Sequence, residues 1–155
     1  TAALTRKTSG VGVLAAVELY GTCGATASTF SCSYTNTTPT AGRTSPETTI
    51  GTSDDYRELG RMLLMPLQSG DKGVTSVESV DLTSSTGTAG DFGITMFYPL
   101  IHVPFDNAGT FDHEAMFGLG TFFPKVDTNA CLFLMGHVPA TSWGVVMGQV
   151  DIGEE

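Results

Sequence analysis

A chain of 155 residues is long enough to bury one hydrophobic core without disulfides or metals, so a single β domain spanning residues 1–155 is the expectation. Charged residues make up 15% against 41% hydrophobic, a low proportion that predicts a surface meeting protein more than water. The 7 basic and 16 acidic residues leave a formal charge of -9, which argues against a phosphate-tracking surface and repels DNA and anionic membranes.

The N-terminal stretch, with Arg6 and Lys7 ahead of the apolar residues 11–17, lacks the small-residue cleavage pattern of a signal peptide, and no stretch approaches the ~18 apolar residues of a membrane span. A chain that stays out of membranes is expected. Residues 11–20 are largely apolar and predict a strand buried on both faces or lying in an interface, stopped by the Gly21 to Gly24 turn. Residues 26–34 alternate, placing Phe30, Cys32 and Tyr34 on one side and Thr29, Ser31 and Ser33 on the other. The stretch 36–53 carries Pro39, Pro46, Gly42 and Gly51 among many threonines and reads as an exposed connection with one short strand near 44–50. Ser53, Asp54 and Asp55 are suited to starting one or two helical turns through Leu59.

The run 61–67 is apolar and ends at a turn over 69–73. Residues 77–83 alternate again, with Val80 and Leu82 expected on the face of Glu78. Phe92, Ile94, Met96 and Tyr98 are expected to share a face, before Pro99 and Pro104 confine the chain to an edge or loop. The stretch 104–124 mixes Phe105, Phe111, Phe117, Phe122 and Phe123 with acidic residues and predicts a long aromatic loop. Two apolar strands, 130–138 and 143–152, joined by a short connection, close the chain. Seven or eight strands at regular spacing predict an all-β fold, an antiparallel β-sandwich or jelly-roll-like barrel.

Catalytic and metal-binding patterns are poorly met. Asp112, His113 and Glu114 start like a zincin motif, but the position needing the second histidine is Phe117. His102, His113 and His137 stand far apart, and Asp106, Asn107, Asp112 and Glu114 do not follow the alternation of a calcium loop. Asp54, Asp55 and Glu58 read as a solvated loop for the same reason. Gly10 and Gly12 do not extend into a dinucleotide fingerprint, and no nucleophile elbow surrounds any serine. Asn36, Thr37 and Thr38 form a glycosylation triplet of a kind that arises by chance. Three cysteines, Cys23, Cys32 and Cys131, have no paired spacing and are expected as buried free thiols. No enzyme and no cofactor are predicted. The five phenylalanines Phe105, Phe111, Phe117, Phe122 and Phe123 are the interface candidates, because aromatics concentrate at the buried centres of protein contacts.

Residues 24–36 (GATASTFSCSYTN), 42–45 (GRTS), 60–73 (GRMLLMPLQSGDKG), 77–83 and 85–93 (STGTAGDFG) resemble a group of tailed-bacteriophage virion proteins. The likeness spans residues 10–100 and rests on strand-and-turn phrases. It implies a capsid decoration or cement protein or a minor capsid subunit, with a tail or neck subunit as the near alternative. The implied partners are copies of the chain and a major capsid or other virion protein, with no nucleic acid and no membrane. The acidic balance places such a protein on the outer surface of the virion. A rival of another class is a carbohydrate-binding sandwich using Trp143, Tyr56 or the acidic cluster with Ca²⁺. A hydrolase domain built on one of the histidines is a third.

Overall fold

A computed structural model of the chain describes residues 3–51, 57, 59–87, 90–100 and 126–135. Every regular element among them is a strand: β1 (Leu14–Leu19), β2 (Ser28–Asn36), β3 (Arg43–Thr44), β4 (Thr48–Ile50), β5 (Met62–Leu64), β6 (Val74–Leu82) and β7 (Phe92–Phe97). All pairings are antiparallel. One sheet runs β5-β1-β7; in the other, β2 is central, with β3 and β4 along one edge and β6 along its opposite edge. The described part of the chain is therefore all-β, as its alternating segments predict.

The strand β1 sits between two neighbours and is apolar on both rows for that reason. Ala15, Val17 and Leu19 enter the core, and Ala16 on the opposite row is also fully buried. It starts at Leu14, three residues later than its apolar run, because the preceding chain crosses the start of β6. Val11 bridges to Gly73, and the Gly12 N–H donates to the Lys72 carbonyl at 2.8 Å. A Cβ on Gly73 would lie 2.0 Å from the Gly10 carbonyl oxygen, so glycine is required at this crossing. Gly10 and Gly12 belong to this backbone crossing.

The alternation of β2 holds throughout. Phe30, Cys32 and Tyr34 are fully buried, while Thr29, Ser31, Ser33 and Thr35 face outward. The connection expected to hold one short strand holds two, because Pro46 cannot donate to a ladder. Ser45 bridges the gap: its Oγ accepts the Cys32 N–H at 2.9 Å, and its own N–H donates to the Cys32 carbonyl at 2.8 Å.

The strand β6 departs from simple alternation. Its register on β2 shifts twice, so that Tyr34 pairs Val77 where Ser33 pairs Ser79, and Asn36 pairs Val74 where Thr35 pairs Ser76. Glu78 and Thr75 are the extra residues of two β-bulges. Cross-strand partners share a face, so Val74, Val77, Val80 and Leu82 all lie on the core side of β2 despite their uneven spacing. Glu78, expected beside Val80 and Leu82, is instead turned outward, where the Thr35 hydroxyl donates to it at 2.8 Å.

The two sheets share one hydrophobic core, in which Val17, Leu19 and Leu63 of one meet Phe30, Tyr34 and Val77 of the other. Each such side chain contributes about 1.5–3 kcal/mol on burial. Ile94 and Met96 of β7 pack against this cluster, and Phe92 lies on their row, as expected.

The strand expected over residues 130–138 differs in its described part: 130–135 pair with no strand among the described residues. A turn at 127–130, closed by the Ala130 N–H on the Asp127 carbonyl, leads the chain past Phe97, whose ring meets Phe133 edge-on at 5.8 Å. Cys131 is consequently exposed, against expectation, whereas Cys23 and Cys32 are buried thiols. The helical turns expected near 53–59 and the strand at 143–152 fall largely or wholly outside the described residues.

Candidate functional site

The interface candidates Phe105, Phe111, Phe117, Phe122 and Phe123 lie outside the described residues. So do His102, His113 and His137, the acidic residues Asp54, Asp55, Glu58, Asp106, Asp112 and Glu114, and the aromatics Tyr56 and Trp143. The chemistry that can be placed gathers in three regions: a carboxylate clamp, the outward faces of the two sheets, and an apolar cavity.

The clamp is centred on Asp71, whose side chain is 5% accessible. The Tyr34 hydroxyl donates to its Oδ2 at 2.5 Å, Asn36 Nδ2 donates to Oδ1 at 2.8 Å, and Arg43 Nε donates to Oδ2 at 3.0 Å. Tyr34 in turn accepts the Gln68 N–H at 2.8 Å, and Gln68 Nε2 donates to the Thr44 carbonyl. Hydrogen bonds from Tyr34 and Asn36, joined by Arg43 and opposed by burial, hold the Asp71 carboxyl below the ordinary carboxylate range. Burial, reinforced by the Asp71 carboxylate, pushes the Tyr34 phenol above its usual value. The arrangement fixes the turn before β6 to β2 and β3. It also commits Asn36 fully, since its Oδ1 accepts the N–H groups of Thr38 and Thr40, each at 3.1 Å. The amide of the glycosylation triplet is thus buried and engaged as a structural group.

Sequence reading sees residues 69–73 as a turn and misses this clamp. Its partners stand 37, 35 and 28 residues from Asp71, and no local spacing joins them.

The outward face of the four-stranded sheet is made of hydroxyls and carboxylates bonded to one another. Thr29 donates to Glu47 at 3.0 Å and shares a 2.7 Å hydrogen bond with Thr83; Ser76 donates to Glu78 and Ser79 to Asp81. The outward face of the three-stranded sheet is apolar. Register places Leu14 beside Phe97, Ala16 between Leu64 and Thr95, and Glu18 next to Met62. Glu18, the carboxylate in this row, accepts the Thr95 hydroxyl. Leu64 remains exposed, as do Leu132, Phe133 and Leu134 of the segment beyond Phe97. At the end of the sheet Lys7 Nζ sits 4.7 Å from the ring centroid of Tyr98, a cation–π contact at the rim.

A cavity of about 210 Å³ opens at the end of the shared core, lined by the apolar Leu19, Ile50, Leu82 and Phe92 and by Cys23, Gly90 and the polar Ser85, Thr86 and Asp91. The Thr86 hydroxyl accepts the Gly24 N–H at 3.2 Å. Cys32 lies deeper in the core. Burial, with Asp81 adding and Ser45 opposing, pushes its thiol up to about 11, so at neutral pH it behaves as a small hydrophobe.

Comparison with protein-family models, with curated proteins and with solved structures finds no match.

Proposed function

We propose that this chain is a structural subunit of a bacteriophage particle, a capsid decoration or cement protein or a minor capsid subunit, that works by packing against its neighbours. In this reading the two sheets form a β-sandwich of the jelly-roll kind. The observation that carries it is the contrast between the outward faces. One is a satisfied network of hydroxyls and carboxylates suited to water; the other is a row of Leu14, Leu64 and Phe97 continued by the exposed Leu132, Phe133 and Leu134. Exposed leucines and phenylalanines beside such a row, on a chain with few charges, are suited to a protein contact. The strand-and-turn phrases over residues 10–100 support the particle setting, and the charge of -9 favours the outer surface, away from packaged nucleic acid.

The test is immunogold electron microscopy with antibody to this chain on particles induced from its source. Regular labelling of heads is the expected result, and labelling of tails or necks moves the location within the same class. Intact and disrupted particles that both lack the chain, while the soluble fraction contains it, overturn the reading.

A further inference from the structure

We propose that residues 6–12 are a strap that opens and closes across the start of β6, and that the Asp71 clamp is the latch holding its seat. The strap meets the sheets through backbone. The Gly12 N–H donates to the Lys72 carbonyl at 2.8 Å, Val11 bridges to Gly73, and just beyond them the Val74 N–H donates to the Val13 carbonyl at 3.1 Å. So close an approach needs glycine on both sides: a Cβ on Gly10 would lie 2.8 Å from the Val74 carbonyl oxygen, as one on Gly73 would meet that of Gly10. Two further contacts pin the other end of the strap, Lys7 Nζ over the Tyr98 ring at 4.7 Å and Arg6 Nη1 on the Thr128 carbonyl at 3.3 Å.

The strap buries little. Lys7 to Ser9 are exposed and Val11 is 53% exposed, whereas the buried core begins at Val13. Lys7 also has a φ of 51°, a left-handed conformation that residues with a side chain rarely adopt, so closure strains the strap and opening relieves it. A segment held by a few polar contacts opens locally at a fraction of the global unfolding free energy. Its seat depends on the clamp, because Lys72 and Gly73 follow Asp71 directly in the chain. The Asp71 carboxylate is gripped by Tyr34 and Asn36 of β2 and by Arg43 of β3, and Gln68, at the start of the same turn, is tied to Tyr34 and to the Thr44 carbonyl. The clamp therefore holds the turn and the turn holds the strap. With the carboxylate lost, the turn keeps its connection to β6, but the Lys72 carbonyl and Gly73 are no longer fixed where the strap needs them. This coupling does not rest on the packing role proposed above.

Amide hydrogen exchange of the full chain near neutral pH, read residue by residue by nuclear magnetic resonance, tests it on wild type, Asp71→Asn and Tyr34→Phe. The Gly12 and Val74 amides are expected to exchange about ten-fold faster in both variants, as the loss of a hydrogen bond to a charged group implies. Thr83 and Tyr20, whose N–H groups donate to the Thr29 and Asp91 carbonyls at the other end of β6 and beside β7, are expected to keep their wild-type rates. Folded variants in which Gly12 and Val74 stay as protected as in wild type overturn the proposal. An equal rise at all four amides overturns it as well, since the clamp would then support the whole fold rather than latch the strap. Failure of both variants to fold overturns it for the same reason.

Discussion

The two sheets share a core and a backbone period but present opposite surfaces to their surroundings. On the four-stranded sheet the outward residues of β2 are Thr29, Ser31, Ser33 and Thr35, answered by Thr83, Asp81, Ser79 and Glu78 across the ladder or at its bulge. On the three-stranded sheet they are Leu14, Ala16, Met62, Leu64 and Phe97, with Glu18 and Thr95 as one hydrogen-bonded pair among them. Ala16 is fully buried and Leu64 is exposed, so part of this row is covered within the chain itself. A side chain that faces water is suited to solvation, and one that faces packed atoms is suited to apolar contact. Under the packing role proposed above, the apolar row is the one that meets a neighbour.

The largest expected effect comes from placing a charge on the core side of the hydroxyl-bearing sheet. Val77 is almost completely buried and pairs Tyr34 across the ladder, its inward direction set by the bulge at Glu78. Val77→Asp puts a carboxylate into the shared core at a cost of about 3–5 kcal/mol, a large share of the 5–15 kcal/mol that holds a domain together. The variant is expected to lose the cooperative transition in urea. A normal transition would show that residue 77 does not face the core.

A smaller effect is expected at the clamp. The Asp71 carboxyl has a lower pKa folded than unfolded, so its stabilisation is complete above the ordinary carboxylate value of about 4 and is lost as pH falls through the folded value. Asp71→Asn lacks this term. The difference in urea midpoint between wild type and Asp71→Asn is expected to be greatest near neutrality and to shrink as pH drops below about 4. A difference that stays constant with pH would assign the loss to shape rather than charge.

How much of this was legible beforehand follows from the range over which each feature is encoded. The faces of β2 and β7 are written in unbroken alternation, so Phe30, Cys32, Tyr34, Ile94 and Met96 were placed on their core rows from sequence. In β6 the valines at 74, 77 and 80 break the period, and only pairing with β2 shows that two bulges restore it. Asp71 was invisible because its partners come from β2 and β3, and proximity in space leaves no mark on local spacing. The contrast between outward faces was half visible: the serines and threonines of β2 read as a polar side, but the apolar run of β1 read equally as a strand buried on both faces or one lying in an interface, and sequence offers nothing to choose between them. The phenylalanines chosen as interface candidates were found by composition, whereas the exposed Leu132, Phe133 and Leu134 needed coordinates, since their sequence is that of an ordinary buried strand.

The smallest effect separates the two faces most directly, through a pair of exposed positions. Glu78 and Leu64 are both solvent-accessible, and each lies on the outward side of its sheet. Replacing Glu78 by Ala removes hydrogen bonds from the hydroxyls of Thr35 and Ser76, but water replaces the lost acceptor, so stability is expected to change by no more than about 0.5 kcal/mol. Replacing Leu64 by Ala strips apolar contact from a side chain that is 40% exposed, and a cost of about 1 kcal/mol is expected from the part still buried. Urea denaturation of the two variants beside wild type measures both. If Glu78→Ala costs as much as Leu64→Ala, the hydroxyl face is a packed structure in its own right, and the reading of it as the water-facing side of the molecule fails.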